Sequence, residues 1–130
     1  MKIVIADDSG MLRERIKESI KDIKGVEIVG EARNGIEAIK IIKEKNPDFV
    51  LTDIRMSELN GIEVLKKMKE IGSKSKVCIF TNYPYSQYKT KCLAEGADYF
   101  FNKNNGFQEI KELIVKLCKM GRKETMENLN

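Results

Sequence analysis

The chain has 130 residues, of which 24 are lysine or arginine, 20 are aspartate or glutamate and none is histidine, so its formal net charge is +4. Its length fits one domain with its own core, and a composition of 42% hydrophobic and 34% charged residues is typical of a soluble globular protein rather than a fibrous or disordered one. The lack of histidine removes the commonest general base and neutral metal ligand from any chemistry that this chain performs.

Cysteine spacing, apolar runs and the distribution of charge exclude further classes. Cys78, Cys92 and Cys118 lie far apart without a C-x-x-C pair, so the sequence predicts reduced thiols rather than a zinc site or a disulfide framework. The longest apolar runs have four residues, too few for a membrane span or a signal peptide, and we expect a cytoplasmic protein without a membrane partner. Lysines alternate with glutamates at helical spacing instead of forming one basic patch, which disfavours nucleic-acid binding.

Five short apolar segments alternate along the chain with five longer segments of helical periodicity. The predicted strands are residues 2–6, 26–31, 48–52, 77–81 and 99–101. The predicted helices are residues 11–24, 35–45, 61–71, 86–95 and 107–119. Parallel strands need helical crossovers, and these cover both faces of the sheet. The alternation therefore predicts an α/β fold, a doubly wound five-stranded parallel sheet with helices on both faces.

Start and stop signals support these helices. Each of three asparagines precedes by three residues a Glu or Gln that can complete a capping box: Asn34, Asn60 and Asn105. Each of four glycines follows a predicted helix, where a left-handed residue is favoured: Gly25, Gly72, Gly96 and Gly121. We expect one domain at residues 1–120, followed by a short charged tail at 121–130.

Polar residues stand where the predicted strands end. Asp7 and Asp8 follow the first strand, Asp53 follows the third, Thr81 ends the fourth and Lys103 closely follows the fifth. Ligands of open α/β sheets bind beyond the carboxyl ends of the strands. Three carboxylates at one edge repel each other unless a cation lies between them, and a hard divalent ion such as Mg²⁺ takes carboxylate and phosphate oxygens as ligands. The pattern therefore favours a site for a metal ion and a phosphoryl group.

With these residues the sequence resembles the receiver domains of two-component response regulators, over about residues 2 to 120. The resemblance rests on IVIADDS at 3–9, LTDIRM at 51–56 continuing to NG at 60–61, IFT at 79–81 and GADYFFNK at 96–103. It implies the flavodoxin-like strand order 2-1-3-4-5. It also implies a signalling switch rather than an enzyme, limited to its own phosphorylation and dephosphorylation.

The resemblance assigns roles to the residues at the strand ends. Asp7, Asp8 and Asp53 would hold Mg²⁺, with the main-chain carbonyl of Arg55 as a further ligand. Asp53 would also accept the phosphoryl group. These assignments place the metal and the phosphoacceptor at the end of the same two strands.

Three further residues would respond to phosphorylation according to the resemblance. Thr81 would bond the phosphoryl group and Lys103 would pair with it, while Phe100 would change rotamer as Thr81 moves inward. The face formed by helix four, strand five and helix five would then change its affinity for a downstream protein. Because the chain has no histidine, the donor would be a histidine kinase, a histidine phosphotransfer protein or a small acyl phosphate.

The sequence favours such a stand-alone switch, acting as a monomer or as a phosphorylation-dependent dimer, and leaves two alternatives. The first is a receiver-like module that binds partners without phosphate. A small α/β phosphoryl-transfer enzyme is disfavoured because no G-x-G-x-x-G or complete P-loop is present and Arg55 stands where an aspartyl phosphatase would carry a second acid.

Two of the residues that depart from the receiver pattern directly follow Lys103 and Thr81. Asn104 follows Lys103 where many receivers have a proline after a cis peptide bond, so the sequence leaves the isomer of this bond open. Asn82 follows Thr81 where a smaller residue is usual, and it either narrows access to Asp53 or only begins a turn.

Overall fold

A computed structural model describes residues 1–83 and 85–128 of the chain, with only the backbone for 122–128. In this part of the chain, strands and helices alternate. The strands are β1 (Lys2–Ala6), β2 (Glu27–Ala32), β3 (Phe49–Thr52), β4 (Lys76–Thr81) and β5 (Tyr99–Asn102). The helices are α1 (Gly10–Ile20), α2 (Gly35–Lys45), α3 (Gly61–Glu70), α4 (Ser86–Ala94) and α5 (Phe107–Asn128).

The strands form one sheet in the order β2-β1-β3-β4-β5, and every neighbouring pair is parallel. This confirms the predicted fold class and strand order. The order reverses its direction after β1, because β2 lies on one side of β1 and β3 on the other. Ligand sites of doubly wound sheets lie at such a reversal, so the carboxyl ends of β1 and β3 frame the expected position.

Alternation along the strands supplies a separate core to each face of the sheet. Ile3 and Ile5 are fully buried on the face covered by α1 and α5, where Ile114 of α5 joins them. Val4, also fully buried, points to the opposite face and packs in the cluster that contains Val64 of α3. A strand with apolar residues on both faces is stable only between two helical layers, which explains the nearly continuous apolar strands.

The predicted helix starts are confirmed at Asn34 and Asn60. Each side chain accepts a hydrogen bond from the N–H three residues later, and Asn60 forms a complete capping box with Glu63. Helix α5 begins at Phe107 as predicted, but its N-cap position is Gly106 rather than Asn105, because the main-chain carbonyl of Gly106 accepts the N–H of Ile110.

The predicted helix ends are confirmed in part. Gly72 and Gly96 follow the C-caps of α3 and α4 with positive φ angles of 70° and 105°, whereas Gly25, with a φ of 94°, lies in the turns before β2 and not at the end of α1. Gly121, however, lies inside α5, which continues to Asn128 through residues predicted as a tail; residues 129–130 of that tail lie outside the described residues. Helix α1 in turn is shorter than predicted and ends at Ile20, because successive tight turns over 21–25 lead the chain into β2.

Candidate functional site

Neighbouring strands carry the four buried polar residues of the candidate site to one edge of the sheet. Asp7 directly follows β1, Asp53 directly follows β3, Thr81 ends β4 and Lys103 directly follows β5. Thr81 is 0% exposed, and the other three residues are also buried. The sheet order places these strands side by side, so residues far apart in the sequence lie together at one edge of the sheet.

Lys103 connects two of the carboxylates. Its Nζ atom donates to Asp7 Oδ2 and to Asp53 Oδ2, with both distances 2.6 Å. Burial disfavours the charge on Lys103, but the hydrogen bonds to Asp53 and Asp7 outweigh that effect and raise the pKa of its ammonium group above the ordinary value. Lys103 therefore stays protonated and offsets the repulsion between Asp7 and Asp53.

Asp8 completes a cluster of three carboxylates with Asp7 and Asp53. One oxygen from each side chain lies within 4.8 Å of the others, and Asp8 is the exposed member. Burial and the neighbouring charge of Asp7 raise the pKa of the Asp8 carboxyl. Three carboxylate oxygens close together, one of them facing solvent, form a donor set that suits a hard divalent cation such as Mg²⁺.

The remaining oxygens of the two buried carboxylates are held by the loops that follow the strands. Asp7 Oδ1 accepts the N–H of Ser9 at 2.9 Å, and Asp53 Oδ1 accepts the N–H of Ile54 at 2.7 Å. Each carboxylate thus uses one oxygen for its own loop and the other for Lys103. A cation bound here would share these oxygens with Lys103 and with main-chain donors.

Thr81 and Phe100 lie on the last two strands of the sheet. The hydroxyl of Thr81 accepts the N–H of Tyr83 at 3.0 Å, and its main-chain carbonyl accepts the N–H of Lys103 at 2.9 Å. Phe100 pairs with Ile79 in the β4–β5 register and is half-buried against the core on the α2–α4 side. The predicted exchange of space between Thr81 and Phe100 is not tested by this arrangement and stays a prediction.

Arg55 makes a contact that the sequence reasoning missed. Its guanidinium carbon lies 3.8 Å from the centroid of the Tyr83 ring, and Nη2 donates to Tyr88 Oη at 3.4 Å. The side chain therefore connects the loop after β3 with the segment after β4, while the proposed role of its main-chain carbonyl stays a prediction. The only sequence signal was their spacing, since Arg55 lies two residues after Asp53 and Tyr83 lies two residues after Thr81.

The segment after β5 resolves the question of the peptide bond. The Lys103–Asn104 bond is trans. The N–H of Asn104 is accepted by Asn102 Oδ1 at 2.9 Å, so a side-chain turn shapes this segment in place of a proline.

Gly61, the first residue of α3, supports the loop that carries Asp53. Its N–H donates to the carbonyl of Ile54 at 2.7 Å. A Cβ atom added at this glycine would overlap the main-chain carbonyl of Asp53 and would lie 2.9 Å from Ile54 Cα. The close approach of two backbones therefore requires glycine here.

Replacing Gly61 by alanine is expected to lower the free energy of unfolding by about 2 kcal/mol, because the added methyl group forces two backbone segments apart. Urea unfolding followed by circular dichroism measures the change. Gly121→Ala is the matched control, since an added Cβ there meets nothing within 4 Å and alanine favours the helix. Equal stability of the Gly61→Ala variant and the parent chain would contradict this account of the loop.

Residues 3–115 match the family model of the response regulator receiver domain. The chain belongs to this family, whose members are signalling domains of two-component systems and for which phosphorylation and Mg²⁺ binding are typical. The recognition made from the sequence motifs is therefore confirmed.

Individual proteins support the same assignment. BvgA of Bordetella pertussis is 34% identical over 109 residues, which cover 84% of this chain and 52% of BvgA. The solved structure of a DNA-binding response regulator of the LuxR family from Staphylococcus aureus has 32% identity and a TM-score of 0.83, covering 90% of this chain and 98% of that one. The response regulator domain of Thermotoga maritima CheB has 25% identity and a TM-score of 0.81, with coverages of 92% and 94%.

The chain spans about half the length of curated relatives such as BvgA. Within the described residues, no helix is both long and apolar enough to cross a membrane.

Proposed function

We propose that this chain is a phosphorylation switch in which Asp53 accepts a phosphoryl group from a phosphohistidine or a small acyl phosphate. The observation that carries the proposal is the arrangement of Lys103 between Asp7 and Asp53, inside a cluster of three carboxylates. The cluster suits Mg²⁺, which when bound would supply positive charge to the oxygens of the transferring group. Asp7, Asp8, Asp53 and the main-chain carbonyl of Arg55 would hold the ion.

Three residues of the chain would perform the transfer and stabilise the transferred group. Asp53 attacks as an ionised carboxylate, so no general base is needed: an oxygen–phosphorus bond forms as the bond from phosphorus to the donor breaks. Lys103 is already 2.6 Å from Asp53 Oδ2 and can follow the new negative charge onto the phosphoryl oxygens. Thr81 can donate its hydroxyl proton to the same oxygens. In the contacts described above this hydroxyl acts only as an acceptor, for the N–H of Tyr83, so its proton is not committed to them.

The phosphoryl group would change a surface some distance from Asp53. It adds negative charge and strong acceptors beside Thr81, which draws the hydroxyl inward. Phe100, on the strand next to Thr81, would then move into the space that is left. Two packings of one buried or half-buried aromatic residue form a bistable element, and they would alter the face made by α4, β5 and α5.

Partners follow from the same chemistry and are part of the proposal. The chain has no histidine, so a phosphohistidine donor must come from a histidine kinase or a histidine phosphotransfer protein. The recipient of the signal would be a protein that binds the α4/β5/α5 face, with the receiver acting in the cytoplasm either as a monomer or as a dimer formed on phosphorylation.

Incubation of the 130-residue chain with Mg²⁺ and a small acyl phosphate is expected to add the mass of one phosphoryl group to the intact protein. The adduct should be stable in acid, labile in base and absent when a chelator removes the ion, because an acyl phosphate on a carboxylate forms only with metal assistance here. Intact-protein mass spectrometry measures it, and fragmentation should place it on the peptide that contains Asp53. Failure of both acyl phosphates and phosphohistidine donors to modify the chain would leave the phosphate-independent binding module as the better function.

A further inference from the structure

Arg13 connects the loop that carries two of the three carboxylates with the neighbouring strand. Its Nη1 atom donates to the main-chain carbonyl of Asp7 at 2.5 Å, and its Nε atom donates to Glu31 Oε1 at 3.2 Å. Only 18% of its side chain is exposed. A planar guanidinium can hold two acceptors at a fixed angle, so this one side chain joins the end of β1 to the end of β2.

Glu31 is itself held in place, so it is a firm anchor for Arg13. Lys17 Nζ lies 2.9 Å from Glu31 Oε2, on the opposite oxygen from the one that Arg13 uses. The hydrogen bonds from Lys17 and Arg13 keep the pKa of the Glu31 carboxyl below its ordinary value. The carboxylate is therefore charged at neutral pH and binds both cations.

The bond to the carbonyl of Asp7 bears directly on Asp8. That carbonyl belongs to the peptide plane between the two residues, and its direction sets the path by which the chain reaches the Asp8 side chain. The ladder of β1 ends at Ala6, so the plane lies beyond the strand pairing. Asp8 is exposed, and along this course of the loop one of its oxygens lies within 4.8 Å of an oxygen of Asp7 and of Asp53.

We propose that Arg13, anchored by Glu31, is a positioning residue that sets the affinity of the carboxylate cluster for a divalent cation by orienting the Asp7–Asp8 peptide. The inference rests on the proposed function, because it takes that cluster as the metal site. Arg13 does not touch the ion in this account; it acts through the main chain of Asp7. Outer partners that orient metal ligands commonly change metal affinity by 10-fold or more when they are removed.

Arg13 could act through its charge or by positioning the loop, and these two roles predict opposite changes in metal affinity when the residue is replaced. A guanidinium near three carboxylates repels a bound cation, so if charge alone mattered, a neutral residue at this position would tighten metal binding. If Arg13 positions the loop, the neutral residue weakens binding in spite of that gain. Lysine keeps the charge but cannot hold both acceptors, so it too weakens binding only under the positioning role.

The test is direct metal binding by the whole chain, with Mg²⁺ measured by calorimetry and Mn²⁺ measured by electron paramagnetic resonance. Arg13→Met is expected to weaken both affinities about tenfold, and Arg13→Lys is expected to weaken them in the same direction. Arg33→Met is the matched control: Arg33 also pairs with a glutamate, at 2.6 Å from Glu37, but its side chain is 75% exposed. Since it removes the same charge without touching the loop, it should leave the affinity unchanged or slightly tighter.

The outcomes separate this inference from the proposed function. Asp8→Asn is expected to weaken binding in the same titration, which shows that the measured ion occupies the cluster. If the parent chain binds no divalent ion, or Asp8→Asn binds as tightly as the parent, the proposed metal site fails and the inference fails with it. If the parent binds through the cluster while folded Arg13→Met and Arg13→Lys bind as tightly or more tightly, the positioning role alone is overturned.

Discussion

Asp53→Asn is expected to abolish the phosphoryl adduct while preserving the fold. Asparagine has nearly the shape of aspartate, and its side-chain oxygen can still accept the N–H of Ile54, which Asp53 Oδ1 accepts at 2.7 Å. A neutral amide is not a nucleophile for phosphorus under these conditions. The loss should therefore be complete in mass spectra recorded with Mg²⁺ and an acyl phosphate, with an unchanged circular dichroism spectrum.

The control for this variant is Asp22→Asn, which removes the same charge from an exposed position after α1. It should accept the phosphoryl group at the rate of the parent chain. An adduct of undiminished yield on Asp53→Asn would mean that another residue is the acceptor, and fragmentation of that adduct would identify it.

Lys103→Met is expected to lower the free energy of unfolding by about 3 kcal/mol at neutral pH in the absence of divalent ions. Lys103 is the shared partner of Asp7 and Asp53, whose side chains are only 3% and 7% exposed. Methionine fills a similar volume, so the cost comes from two buried carboxylates that lose their common cation. Urea unfolding in the presence of a chelator measures it.

Addition of Mg²⁺ should restore part of the lost stability of Lys103→Met, because the ion supplies positive charge to the same oxygens and binds only the folded chain. Lys91→Met serves as the control, since the Lys91–Glu95 pair spans 3.6 Å at the surface and its loss should change stability by no more than about 1 kcal/mol. A Lys103→Met variant as stable as the parent in chelator would contradict the role of Lys103 as the counter-charge of Asp7 and Asp53.

Most of the fold was accessible from the sequence because its signals are local. Apolar runs of strand length, helical periodicity and capping residues such as Asn34 and Asn60 mark elements within a few positions of themselves, and the structure places the strands within two residues of the predicted bounds. The errors fall where local signals compete with context. Gly121 has the chemistry of a helix end but lies within α5, and α1 ends at Ile20 because the chain must turn toward β2.

The positions of the buried members of the candidate site were also accessible, since each of them ends or directly follows a strand. Asp7, Asp53 and Thr81 could be placed at one sheet edge by the rule that parallel strands present their carboxyl ends together. The roles proposed for these residues rest on the family resemblance and on the arrangement of their side chains, and the variants above test them.

What the sequence alone determined is therefore the order of elements, the strand order implied by the family motifs and the list of polar residues at the carboxyl edge. Only the tertiary structure decided which of these atoms meet: Lys103 reaches Asp7 and Asp53 across 96 and 50 positions of the chain, and Arg13 joins the Asp7 carbonyl to Glu31. Periodicity and capping act over neighbouring residues, whereas these contacts depend on the angle between strands and on side-chain rotamers. Those are set by packing of the whole core, which no local pattern encodes.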